Sequence, residues 1–228
     1  MHIHLPKPLH GWREFLGEIG VIVIGILIAL GLEQAIAGVE DRRHAHEARD
    51  AIDAEMRENL QRIATHLNQS QCNERRLDQI ASLLAGWKSG KALPSGLSIG
   101  DPGDQPLVEQ RWRANLNSGR FSQQSPTAQA QQAAFYTQIG ILNTILDREH
   151  TAWSRLRMLE MGPVMLSVDM RPGLVEALAN ARTDARDAKL LGQEVLRVSR
   201  PTLGSPAASR AIDLLGTSCG PLLPSGRG

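Results

Sequence analysis

The sequence predicts an all-α protein, with one N-terminal transmembrane helix that continues into a long helix and then a helical-bundle domain. Three observations carry that expectation. An unbroken apolar run lies near the N-terminus, apolar residues elsewhere recur in steps of three and four, and no stretch alternates apolar and polar side chains as a half-buried strand would. Hydrophobic residues make up 42% of the 228 but aromatics only 4%, so the apolar material is aliphatic and suits helix interiors or lipid. Lys and Arg number 25 against 24 Asp and Glu. That balance leaves no surplus of positive charge to neutralise a phosphate backbone, so no nucleic-acid partner is expected. Two cysteines are too few for a disulfide scaffold or a four-thiolate zinc site.

Residues 1–14 read as a short flank, with Trp12 placed as an interfacial anchor. Residues 15–38 read as the transmembrane helix, and the lipid bilayer is the first expected partner. Its centre, Ile19–Leu32, is 14 residues without a polar side chain, and the flanks extend it toward the roughly 20 residues a span needs. Between Phe15 and Ile36 stand 13 Leu, Ile, Val or Phe residues. At about 0.3 to 0.6 kcal/mol each, they favour the bilayer by roughly 4 to 8 kcal/mol. Ala35-Ile36-Ala37 has the form of a signal-peptidase site, but Glu33 stands between it and the apolar run. An uncleaved span is therefore preferred, and the absence of a polar face rules out an interfacial helix.

At 100° per residue, Gly17, Gly20, Gly31, Ala35 and Gly38 fall within about 60° of one another. Such a strip lets a second helix approach closely, so self-association or a protein partner through this helix is expected. Glycine is also simply common in membrane helices, and Gly25 lies off the strip. Glu18 and Glu33 are separated by about 22 Å of helix, less than the roughly 30 Å of hydrocarbon, so at least one carboxylate lies inside. Either it snorkels or is protonated, or it serves a proton relay or a cation on a neighbouring helix.

The stretch Gly11–Gln34 carries Gly17-Glu18-Ile19 followed by Ile24-Gly25-Ile26-Leu27-Ile28-Ala29-Leu30. It resembles the N-terminal signature of uncharacterised bacterial single-span membrane proteins. A fainter likeness runs through Arg111-Trp112-Arg113, Ser118-Gly119 and Phe135-Tyr136. The resemblance implies a membrane anchor with a helical domain and brings no activity, cofactor or catalytic residue with it.

Residues 39–87 contain apolar positions Ile52, Met56, Leu60, Ile63 and Leu67, then Leu77, Ile80, Leu84 and Trp87, which define one helical stripe. It is broken by polar residues from Ser70 to Glu74. A long amphipathic or stalk helix follows, with a two-helix coiled coil as one way to cover its face. Residues 88–106, rich in Gly, Pro and Ser, form a loop. Residues 107–216 form a helical domain packing with the stalk: a short helix at Leu107–Asn117, a helix capped by Ser125-Pro126 and stopped at Gly162-Pro163, one from about Pro172 to Val198 ended by Pro201, and a last short one from Ser205-Pro206. The helix after Ser125 shows Phe135, Ile139, Leu142, Leu146, Trp153, Leu156 and Leu159 on one face, and Trp87, Trp112 and Trp153 read as core. Residues 217–228 read as a disordered tail.

No phosphate loop, nucleophile elbow or HExxH motif is present, so no catalytic residue and no cofactor is assigned. His46 and Asp50 share a helical face close to His44, but no third ligand follows from spacing, and His2, His4 and His10 read as interfacial, so no metal site is expected. Lys7 and Arg13 before the span nearly balance Arg42, Arg43 and Arg49 after it, which leaves orientation open. The expected location is the bacterial inner membrane, single-pass, with the C-terminal domain on the periplasmic side. There Cys72 and Cys219 would form one disulfide or remain two free thiols. The expected function is non-enzymatic: a membrane-anchored domain that mediates protein–protein interaction or supports a membrane assembly. A sensor-like domain that captures a small ligand is the alternative.

Overall fold

The structure is a computed structural model and describes residues 12–103, 105–203 and 219–223. Among the described residues every regular element is helical. Helix α1 spans Trp12–Lys88, α2 Gln110–Asn117, α3 Pro126–Leu156 and α4 Arg171–Leu203, with short 3-10 turns at Arg120–Gln123, Arg157–Met161 and Val168–Met170. The helix expected from Ser205-Pro206, the N-terminal histidines and Lys7 lie outside the described residues. The chain forms two compact units, one ending at Arg49 and the other starting at Asp50.

In the first unit the N-terminal part of α1 is long and apolar enough to cross a membrane, and none of that stretch is buried by protein. Val21, Leu27, Ile28 and Leu32 are all exposed, as are Trp12, Glu18, Glu33 and Ala35. Among the described residues, a Cβ added at Gly17, Gly20, Gly31 or Gly38 meets no other atom within 4 Å. Beyond the strip, Arg43 pairs with Glu47 at 2.9 Å, and His44 lies between Glu40 and Glu47 at 3.7 and 3.5 Å. These are solvated ion pairs along one helix surface, each adding little to stability.

In the second unit the predicted stripes meet. Ile52, Met56, Leu60 and Ile63 of α1 pack with Phe135, Ile139, Leu142 and Leu146 of α3 and Ala188 and Val195 of α4. Farther along, Leu77, Ile80 and Leu84 pack with Trp153, Leu156 and Leu159 and with Leu174 and Leu178. Each fully buried Leu, Ile or Phe contributes about 1.5 to 3 kcal/mol of burial free energy, so these two clusters dominate cohesion. Ser125 caps α3 by accepting from the Ala128 amide at 3.3 Å, with Pro126 in the first turn where its missing N–H costs nothing.

Helix direction follows from the cross-pairs. Glu55 meets Tyr136 and His66 meets Glu149, so α1 and α3 run the same way. Asp78 meets Arg182 and Glu74 meets Lys189, so α4 runs opposite to α1. Two parallel neighbours oblige the chain to travel back along the part of α1 that packs with α3 before α3 begins. Between Arg76 and Glu55 that length is about 32 Å. The 13 residue steps from Ser98 to Arg111 reach about 20 Å as helix but up to roughly 45 Å when extended. The return segment must therefore be extended, and it is.

Two differences from the sequence expectations come from tertiary bonding and one from local backbone chemistry. Helix α2 begins at Gln110, not Leu107, because Leu107 and Val108 belong to the extended return segment. Helix α4 continues past Pro201 to Leu203, since a proline in a last turn removes only one weak terminal bond. Cys219–Leu223, inside the tail expected to be disordered, are docked: Cys219 is joined to Cys72, and the Ser98 amide donates to the Leu222 carbonyl at 2.8 Å.

Candidate functional site

An extended segment buried against a helix has a row of N–H and C=O groups that need partners, and among the described residues no strand lies alongside to supply them. Helix α1 supplies them from side chains. Glu55, Asn59, Arg62, His66, Gln69, Asn73 and Arg76 follow one another in alternating steps of four and three, a 3.5-residue repeat that keeps one seam facing one direction. All but Arg62 are buried, and they line the side of α1 next to its apolar stripe. The polar interval from Ser70 to Glu74, which reads as a break in the stripe, is where the two apolar clusters part and this row fills the gap.

Rung by rung the row grips the segment. The Arg76 guanidinium donates to the Ser98 carbonyl, and Asn73 donates to the Pro102 carbonyl at 3.4 Å. The Gln69 carboxamide donates to the carbonyls of Pro102 at 2.9 Å and Gly103 at 3.3 Å. Gly103 has φ +76°, and a Cβ there would come within 2.1 Å of the buried Gln69 carboxamide, so only glycine fits between helix and segment. Arg62 donates to the Pro106 carbonyl. Asn59 both donates to the Val108 carbonyl at 2.7 Å and accepts from the Val108 amide at 2.8 Å. Asn143 of α3 does the same for Leu107, accepting at 3.0 Å and donating at 3.1 Å. Two consecutive residues are thus held from opposite sides by two asparagines that imitate the edges of neighbouring strands.

At the end of the row Glu55 accepts from the amides of Arg111 at 2.7 Å and Trp112 at 3.1 Å. Those N–H groups open α2, whose own preceding residue Glu109 provides no side-chain cap, so Glu55 caps α2 from another helix. The same carboxylate accepts from the Tyr136 hydroxyl at 2.7 Å. The Trp112 ring stacks on Tyr136 with centroids 4.8 Å apart and meets Phe121 edge-on at 5.0 Å. Burial, reinforced by the bond to Glu55, pushes the Tyr136 phenol far above its ordinary value. At the other end, Glu160 accepts from the amides of Ile99 at 2.6 Å and Gly100 at 3.3 Å, and burial of the Arg76 guanidinium beside it lowers the guanidinium's affinity for its proton.

The raised phenol has a direct consequence. A group whose folded-state value is raised contributes stability that is fully present below the free phenol's value of about 10 and is lost progressively as pH climbs beyond it, by up to about 1.4 kcal/mol per pH unit. Tyr136 is the sole tyrosine of the chain, so tyrosinate absorbance should appear in alkaline titration only together with unfolding. A tyrosinate signal rising near pH 10 while helicity persists would show the hydroxyl to be open to water.

No family model, curated protein or solved structure matches this chain.

The row is built to bind peptide backbone: amides, guanidinia and carboxylates aimed at N–H and C=O groups. Sequence reasoning did not single out Glu55, Asn59, Gln69, Asn73 or Arg76, although their four-three spacing was there to be seen. Among the described residues no group of three or more His, Cys, Asp and Glu is placed to hold a metal. An open groove of about 660 Å³ runs between α3 and α4, lined by Arg148, Arg155, Asn180 and three threonines among others. Arg148 is tied across it to Asp184 at 2.9 Å, and Thr144, Thr151 and Thr183 donate their hydroxyls to carbonyls of their own helices.

Proposed function

We propose that this is a membrane-anchored, non-enzymatic protein whose helical domain mediates protein–protein interaction or supports a membrane assembly. The observation that carries the proposal is the contrast along α1. Its N-terminal stretch exposes apolar side chains all round, while from Ile52 onward the same helix buries an apolar stripe and a polar seam in a complete core. A helix hydrophobic on every side is at home in lipid, not in water. The resemblance of Gly17–Leu30 to the signature of bacterial single-span proteins supports the same reading, in the inner membrane. A disulfide in the domain favours the periplasmic side, where thiols are oxidised. The small-residue strip, open among the described residues, is offered to a second helix, either another copy or a partner.

The expected result is that the full-length protein pellets with membranes, resists a high-salt wash and is released only by detergent. Crosslinking in mild detergent should then yield a defined dimer or stoichiometric partner, and Gly31→Leu should reduce that yield severalfold while Gly25→Leu, off the strip, leaves it intact. Protein found in the supernatant without detergent sinks the anchor, and equal yields for the two variants sink the strip. The α3/α4 groove, with Arg155, Asp147 and Asp184 all in its lining, favours a second reading, capture of a small ligand. A thermal shift with a carboxylate or phosphate metabolite, abolished by Arg155→Ala, would select it.

A further inference from the structure

We infer that the Cys72–Cys219 disulfide is a thiol–disulfide exchange site, reduced by a dithiol to release the C-terminal strap Cys219–Leu223. Three observations converge on it. The two half-buried cysteines line a small opening of about 100 Å³ together with Arg75, Arg76, Gln79 and Gly220, so an attacking sulfur can reach the bond. An incoming thiolate is an anion, and two guanidinia border the opening. Arg75 is aimed: its Nε donates to the Gln71 carbonyl at 3.4 Å and its Nη2 approaches the Cys72 Sγ at 3.5 Å. A cation held beside one sulfur favours that sulfur as leaving thiolate.

The position of Arg75 sets the order of events. A thiolate of the dithiol attacks the Cys219 Sγ, the bond to Cys72 breaks, and Cys72 departs as a thiolate next to Arg75. The second thiol of the dithiol, losing its proton, attacks its partner sulfur in the mixed disulfide and expels the Cys219 thiolate. Two electrons and two protons pass to Cys72 and Cys219, and the dithiol becomes a disulfide. What the bond restrains is specific. With it gone, Leu222 is free to leave the core, the Ser98 amide loses the Leu222 carbonyl, and Arg76 loses the Gly220 carbonyl. Arg76 also holds the start of the extended segment at Ser98, so a redox event at the strap is felt on the polar seam of α1.

The test uses the full chain in detergent micelles with reduced thioredoxin, a dithiol protein, as probe. Both cysteines should become alkylated under native conditions, with helicity retained and amide exchange faster at Ser98 and across 219–223. A thioredoxin lacking its resolving cysteine should be trapped on Cys219. Arg75→Gln should slow reduction roughly threefold, the effect of raising a leaving thiol by about one pKa unit, while Arg75→Lys retains most of the rate. Cysteines that stay blocked until the chain unfolds, trapping on Cys72, or an unchanged rate for Arg75→Gln would each overturn the inference.

Discussion

Glu55→Ala is expected to lower the thermal midpoint by on the order of 10 °C, corresponding to a loss of about 3 to 5 kcal/mol. The change removes a buried acceptor of three hydrogen bonds and leaves all three donors without it: the Arg111 and Trp112 amides and the Tyr136 hydroxyl. The Tyr136 hydroxyl cannot turn to solvent, because the Trp112 ring covers it, and the two amides are held in place by the asparagine clamp before α2. Glu55→Gln should fall between wild type and alanine, since one carboxamide oxygen still accepts while its NH₂ faces further donors. The check is thermal unfolding by circular dichroism, with near-ultraviolet signal from Trp112 as a local probe. A loss below 1 kcal/mol for alanine would mean that water replaces the carboxylate at no cost and that α2 needs no cap.

Arg76→Ala should cost a similar amount, about 3 to 5 kcal/mol, for a different reason. Arg76 is among the largest fully buried side chains, and its guanidinium joins the Ser98 and Gly220 carbonyls, residues far apart in sequence, while its charge balances Glu160. Removing it leaves two carbonyls and a carboxylate without their cation and opens a void. Arg76→Lys should rescue less than half of the loss, because one ammonium cannot reproduce a planar fork that reaches two acceptors. Urea unfolding of the three proteins measures this, and full rescue by lysine would reduce the residue to a mere counter-charge for Glu160.

The elements that repeat locally were legible in the sequence. The stripes on α1 and α3 and the Ser125-Pro126 cap follow from spacing and backbone chemistry, which need no distant partner; α3 itself ends at Leu156, before the expected stop, and Gly162 ends the 3-10 turn that follows it. The extended segment read as loop up to Pro106 and as helix from Leu107, because its order comes from Asn59, 49 residues before Val108, and from Asn143, 36 residues after Leu107. For the same reason buried Gln69 and Asn73 look like surface residues: a polar side chain facing inward is recognisable only once the backbone it satisfies is known. The Cys72–Cys219 bond was one of two options the sequence offered, but the docking of the strap was not visible, since Arg76 and Ser98, which hold its carbonyls, lie far away along the chain.

The asparagine clamp places adjoining amide protons under separate custody. The Leu107 proton answers to Asn143 on α3, and the Val108 proton to Asn59 on α1. Local openings in which one helix lets go will therefore unmask one proton and leave its neighbour shielded. Two consecutive residues serve as independent sentinels, and the ratio of their deuterium uptake tells which side of the bundle yields first.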